Sequence, residues 1–204
     1  ICGATGSGKS RILQAIGQLG EQVLDLEDLA CHKGSVLGVL PDCPQPSQKM
    51  FESRLLTALQ DLCPDRPVYV EAESRKIGSL QLPAALIERM RAGECVHIEA
   101  SFDARVDFLL RDYDYFLVAP DSLTARLEAL RHLQSTETLL RWRAYIHQGG
   151  WRPLVGELLA LHYDPLYQRS QKQNYAGFSA PLRLDTDDLT PAGIDALARR
   201  VCGR

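Results

Sequence analysis

Residues 3–10 read Gly3-Ala4-Thr5-Gly6-Ser7-Gly8-Lys9-Ser10, a match to G-x-x-x-x-G-K-[ST] at every fixed position. The glycines let the backbone turn tightly and aim its N–H groups inward at phosphate oxygens. Lys9 adds a point charge, and Ser10 offers a hydroxyl to Mg²⁺. Ile12, Leu13, Ile16 and Leu19 follow at helical spacing, with Gly20 as the stop, so an amphipathic helix begins at Lys9 and turns its positive end to the same anion. The octapeptide thus specifies a phosphate site contacted by Gly3, Thr5, Gly6, Ser7, Gly8, Lys9 and Ser10. It does not specify ATP. A P-loop is fed by a strand, and only Ile1 and Cys2 precede Gly3. The expectation is therefore a longer polypeptide whose upstream part is not in this chain.

Beyond the loop, strand-like and helical stretches alternate. Residues 22–26, 68–70, 95–100 and 182–184 read as strands. Helices are expected from Ser47 with Phe51, Leu55 and Leu59 inward, from Pro83 to Gly93, over 102–113, and from Thr190-Pro191 onward. Residues 30–46, punctuated by Gly34, Gly38, Pro41, Pro44 and Pro46, form a long loop of the kind that usually serves function. Residues 121–162 carry leucines at helical spacing and no strand. They read as three helices broken near Ser135 and at Gly149-Gly150, while residues 164–181 read as polar and irregular. The expected fold is α/β: one P-loop domain over 1–204, a mainly parallel sheet with helices on both faces, and a helical insertion at about 121–162.

The bulk properties set limits. With 204 residues, 45% hydrophobic and 24% charged, the chain suits one globular domain. A net charge of -3 gives no global attraction for nucleic acid, so an RNA site must be a local patch. No apolar run is long enough to span a membrane and no signal peptide opens the chain. The six cysteines form no C-x-x-C pair, which argues against zinc and against a disulfide framework and fits free thiols in a cytoplasmic protein.

Strand ends mark the crevice in such folds. Glu71 closes the 68–70 strand, where P-loop proteins keep the acid that serves Mg²⁺ or a water. This assigns Lys9, Glu71 and Arg75 to catalysis and Ser10 and Glu71 to a metal. Asp25, Glu27, His32, Ser35, Glu73 and Ser74 sit on neighbouring strand ends and loops as crevice candidates; Asp25 and Glu27 read equally well as a helix-capping acidic turn. Residues 168–183 interleave Arg169, Lys172 and Arg183 with Tyr175 and Phe178, without an acid. That pattern can bind phosphate and stack on bases, though a polar loop would look the same.

Several segments together resemble one family, the tRNA 2-selenouridine synthases. They are the P-loop, Leu24-Asp25-Leu26-Glu27 with His32, Gly34 and Ser35, and Gln45-Pro46-Ser47-Gln48 with Phe51-Glu52. Val70-Glu71-Ala72-Glu73-Ser74-Arg75 with Ile77-Gly78 follows, then His162-Tyr163-Asp164-Pro165 with Tyr167. Ala72 departs from the pattern, which has an acid there. The resemblance implies an upstream rhodanese-like domain with an essential cysteine, absent from this chain; none of the six cysteines takes that role. It implies bacterial conversion of wobble 2-thiouridine in tRNA to 2-selenouridine, through an S-geranyl intermediate made from geranyl diphosphate and then selenium from selenophosphate. Selenation by this chain alone is not expected. Two other readings stay open: a P-loop kinase for a small molecule or RNA, with Arg126 or Arg131 on the transferred phosphate, and a nucleotide-dependent binding module.

Overall fold

The computed structural model describes residues 1–174 and 182–203. The P-loop strand β1 is Cys2–Gly3, and it pairs in parallel with β6, Val96–Ala100, which pairs in parallel with β7, Leu182–Thr186. A second parallel pair joins β2, Gln22–Leu24, to β3, Val68–Val70. The two meet where the Ala72 N–H donates to the Ile1 carbonyl at 2.9 Å. The strands thus run β2-β3-β1-β6-β7, and the chain reverses its direction of travel on either side of β1. Ligands of open α/β sheets bind beyond the strand ends at such a switch point.

Both faces of this sheet are covered, as expected, and the alternation of side chains shows it. Val23 and Tyr69 pack on a core built by α1 (Lys9–Gln18), α5 (Phe102–Asp112) and α11 (Pro191–Val201). Their neighbours Leu24 and Val70 belong to a second core with α2 (Leu26–Ala30), α3 (Gln48–Gln60) and α4 (Ala84–Arg91). Successive strand residues point to opposite faces, so helices lie on each. Hydroxyl side chains cap α3, α5 and α11: Ser47, Ser101 and Thr190 each accept an N–H from the first turn.

A third core, around Trp142, Phe116, Leu127 and Leu154, belongs to the helical region. It comprises α6 (Tyr115–Val118), α7 (Pro120–Leu127), a 3₁₀ turn at Glu128–Leu130, α8 (Thr136–Gln148) and α9 (Trp151–Leu158). Breaks fall at Ser135, the cap of α8, and at Gly149, whose φ of 69° suits a residue without Cβ. The π-helical turn Leu159–Tyr163 leads into α10, Asp164–Asn174. The expectation of an irregular 164–181 is corrected over those residues. Asp-Pro reads as a turn, but the helical run is unbroken from Trp151 to Asn174, and the π turn Leu159–Tyr163 falls just before Pro165, where the missing N–H interrupts the i→i−4 ladder.

Three other differences are local. Residues 25 and 26 leave the strand because Asp25 caps α2, accepting the Asp28 N–H at 2.9 Å. The segment after Glu71 contains a hairpin, β4 (Lys76–Ile77) and β5 (Leu80–Gln81), too short to show a period. Two glutamine amides complete it: Gln45 donates to the carbonyls of Ala30 and Ile77 and accepts from Ser79, and Gln48 both donates to and accepts from the Gln81 backbone. Finally, the expectation of six free thiols is corrected at one pair. Cys2 and Cys95 are joined in a disulfide, Cα–Cα 6.5 Å, because the register that sets Cys2 opposite His97 brings Cys95 alongside.

Candidate phosphate and cation site

At the C-terminal ends of β1, β2 and β3 lies a chamber of about 670 Å³. The P-loop forms its floor. Gly8 sits at φ 76° as the N-cap of α1, and a Cβ on Gly3 would stand 2.8 Å from the Ile98 carbonyl, so both positions require glycine. Helix α1 lacks the capping side chain that α3, α5, α8 and α11 have, and its first turn holds no acid. Its orphan N–H groups and positive dipole end are left for an anion.

Carboxylates gather around Ser10. Its Oγ lies 2.8 Å from an oxygen of Glu27 and 2.8 Å from one of Glu71, and Glu27, Glu71 and Glu73 each place a carboxylate oxygen within 4.8 Å of the others. Lys9 Nζ is 3.4 Å from Glu71. Burial, then the nearby Glu71 and Glu73 charges, push the Glu27 carboxyl up to about 9. Burial and Glu71 push Glu73 up to about 8. A hydroxyl has one proton and can donate to one neighbour only, so Glu27 and Glu71 compete for the Ser10 hydroxyl. This set of hard oxygen donors fits a small divalent cation such as Mg²⁺: three carboxylates crowd together with one lysine against them.

The opposite wall comes from the 30–46 loop and the π turn. Lys33 clamps the loop, with Nζ 2.5 Å from the Asp112 carboxylate and 4.2 Å from the Tyr113 ring centroid. His32 and His162 are buried at 4% and 2% exposure and line the chamber, each with one ring nitrogen (Nδ1 and Nε2 respectively) lacking a hydrogen-bond partner. Burial lowers the pKa of both, so both rings are neutral near pH 7. Ser35 hydrogen-bonds Tyr113 and Tyr163. Behind these residues lies a second cavity of about 70 Å³, lined largely by Leu37, Leu109, Phe116, Leu154, Val155 and Leu158. It shares Thr5, Ser35, Leu109, Tyr113 and Tyr163 with the chamber.

Residues 1–148 match the family model described as the tRNA 2-selenouridine synthase AAA domain. The chain belongs to that family. The tRNA 2-selenouridine synthase of Azotobacter vinelandii is 40% identical over 88% of this chain and 55% of its own length. That of Cupriavidus necator is 41% identical over 84% and 53%, and that of Alcanivorax borkumensis 32% over 82% and 52%. The chain thus spans about half the length of these curated relatives. No solved structure matches it.

Within this selenouridine synthase domain, the chamber gathers Gly3, Thr5, Gly6, Gly8, Lys9 and Ser10 with Asp25, Glu27, His32, Ser35, Glu71, Glu73, Ser74 and Arg75. Some of these side chains have other tasks. Asp25 is the α2 cap, and the Ser74 hydroxyl binds the Lys76 backbone. Ser7 does not line the chamber; its side chain is fully buried beneath the loop. Nor do Arg126 and Arg131. Arg126 stacks over Phe116 and Arg131 contacts His132. Of the RNA candidates, Arg169 is exposed on α10, Lys172 lies on the same helix, and Arg183 on β7 pairs with Glu99 at 3.7 Å. Tyr175 lies outside the described residues. Among the described residues no helix is long and apolar enough to cross a membrane. Lys33, on the long loop with His32 and Ser35, was legible as a residue that could close over a ligand; Asp112 and Arg105 were not, because a cation or acid at one point on a helix reads as solvated.

Proposed function

We propose that this chain is the phosphate-binding part of a tRNA 2-selenouridine synthase, acting in the cytoplasm, and that the chamber holds geranyl diphosphate. The observation that carries the reading is the apolar cavity sharing five residues with the P-loop chamber. A nucleotide offers that cavity a polar base, whereas a prenyl diphosphate offers hydrocarbon, worth about 0.8 kcal/mol for each methylene buried. Its diphosphate would lie on the loop N–H groups, Lys9 and the bare end of α1. The sulfur of wobble 2-thiouridine attacks the first prenyl carbon; the C–O bond breaks, its electron pair leaves on diphosphate, and the uridine gives up its N3 proton to solvent. Charge growing on the leaving group is stabilised by donors already in place. Mg²⁺, held by Ser10 and Glu71 with Glu27 and Glu73, would neutralise the same charge. Selenophosphate, the selenium donor, carries a phosphate suited to the same loop. Arg169, Lys172, Tyr175 and Arg183 are the residues proposed to meet tRNA, and an upstream rhodanese-like domain would complete selenation.

Calorimetry with geranyl diphosphate, inorganic diphosphate, selenophosphate, ATP and GTP tests the reading. Geranyl diphosphate is expected to bind more than tenfold tighter than inorganic diphosphate, with no nucleotide turnover. Tightest binding of ATP, with hydrolysis or transfer of its terminal phosphate, would establish the kinase reading instead.

A further inference from the structure

The segment His162-Tyr163-Asp164-Pro165 is unexplained by phosphate binding alone, and its acid does not line the chamber. Asp164 meets Arg105 of α5, with Arg105 Nη2 2.5 Å from one carboxylate oxygen and Nη1 3.2 Å from the other. Arg105 is buried at 7% exposure, where a guanidinium needs a counter-charge. Its remaining nitrogen, Nε, donates to the Thr5 carbonyl inside the P-loop at 2.8 Å. The loop also leans on α5 directly: a Cβ on Gly6 would stand 2.9 Å from Leu109 and 3.3 Å from the Arg105 carbonyl. In a trans peptide the C=O and N–H point to opposite sides. Holding the Thr5 carbonyl against α5 therefore turns the Gly6 N–H away from α5, towards the chamber.

We propose that Arg105 is a positioning residue for the phosphate loop and that Asp164 holds it there, so that the two form a strut from α10 to the P-loop. The proposal rests on the phosphate-binding reading. Asp164 starts α10 directly after His162 and Tyr163, which line the chamber, so the strut also ties that wall to the loop that faces it. Lysine cannot replace arginine here, because one ammonium cannot span a bidentate carboxylate and a carbonyl in a fixed fork.

The test is calorimetry of inorganic diphosphate with Mg²⁺ on the 204-residue chain, at a temperature where circular dichroism shows each variant folded. Arg105→Lys and Asp164→Asn should each weaken binding tenfold or more, and the double variant should be no weaker than the worse single one. With diphosphate bound, exchange of the Gly6 amide hydrogen should be slowed less in both than in the parent, while amides of α11 keep parental rates. A merely structural pair would lower melting temperature yet leave the folded variants with parental affinity and Gly6 exchange, and that result overturns the proposal. So does a loss in Arg105→Lys that Asp164→Asn does not share. If the parent chain itself fails to bind diphosphate, the phosphate reading fails and the strut with it; if the parent binds and the variants bind equally, only the strut fails.

Discussion

Replacing Glu73 with glutamine should make the ligand-free chain more stable, against the usual cost of altering a half-buried residue. The Glu73 carboxyl titrates near 8 in the fold against an ordinary 4.5. Because the folded value is the higher, the penalty is absent below pH 4.5, grows as pH rises, and levels off above 8. At pH 7 the gap to 4.5, at about 1.4 kcal/mol per pH unit, amounts to about 3 kcal/mol, part of it shared with Glu27. Glutamine keeps the shape and an acceptor for the Ser74 N–H while removing the charge. A chain of this size gains roughly 2–4 °C per kcal/mol, so Glu73→Gln should melt about 6–12 °C higher at pH 7 and above. At pH 5 the difference should nearly vanish. The same variant should lose Mg²⁺-dependent stabilisation that the parent shows. Melting scans from pH 5 to 8.5, with and without Mg²⁺, are the assay. A variant that melts at or below the parent at pH 8 without Mg²⁺ would refute the account of crowded carboxylates.

Four further outcomes follow from the site. Lys9→Ala should cut diphosphate affinity about a hundredfold, near the 3 kcal/mol that a charged hydrogen bond can supply, while circular dichroism stays native; unchanged affinity for every phosphate ligand would contradict the site. Glu71→Gln should weaken Mg²⁺-dependent binding in calorimetry, and Arg75→Ala should slow geranyl transfer to 2-thiouridine tRNA with little effect on melting. Val155→Phe, which fills the apolar cavity, should remove the advantage of geranyl over inorganic diphosphate and leave the latter's affinity as it was; an intact advantage would place the hydrocarbon elsewhere.

The sheet and the P-loop were legible because each rests on a local pattern: a fixed octapeptide, alternating apolar stretches and hydroxyl caps at Ser47 and Thr190. Glu71 was legible from its place at a strand end. Asp25 and Glu27 left two readings open, and each residue takes a different one: Asp25 caps α2, and Glu27, two residues on, turns into the chamber. Arg105 left no trace in the sequence. A buried arginine looks like any solvated helix cation until the fold brings its partner, 59 residues away, against it. Helix α10 was missed for another reason: Asp164–Asn174 lacks an apolar repeat.

The glutamines at the hairpin have a consequence for the ageing of the molecule. Gln45 uses both ends of its amide, giving hydrogens to Ala30 and Ile77 while taking those of Ser79, and Gln48 does the same with the two backbone groups of Gln81. Hydrolytic deamidation would swap each NH₂ for an oxygen that can only accept, leaving carbonyls of Ala30, Ile77 and Gln81 facing a negative charge. A change of one mass unit at either residue would therefore loosen the hairpin that follows Glu71 and Glu73. Wear in this protein would register at the candidate cation site without any of its own residues being altered.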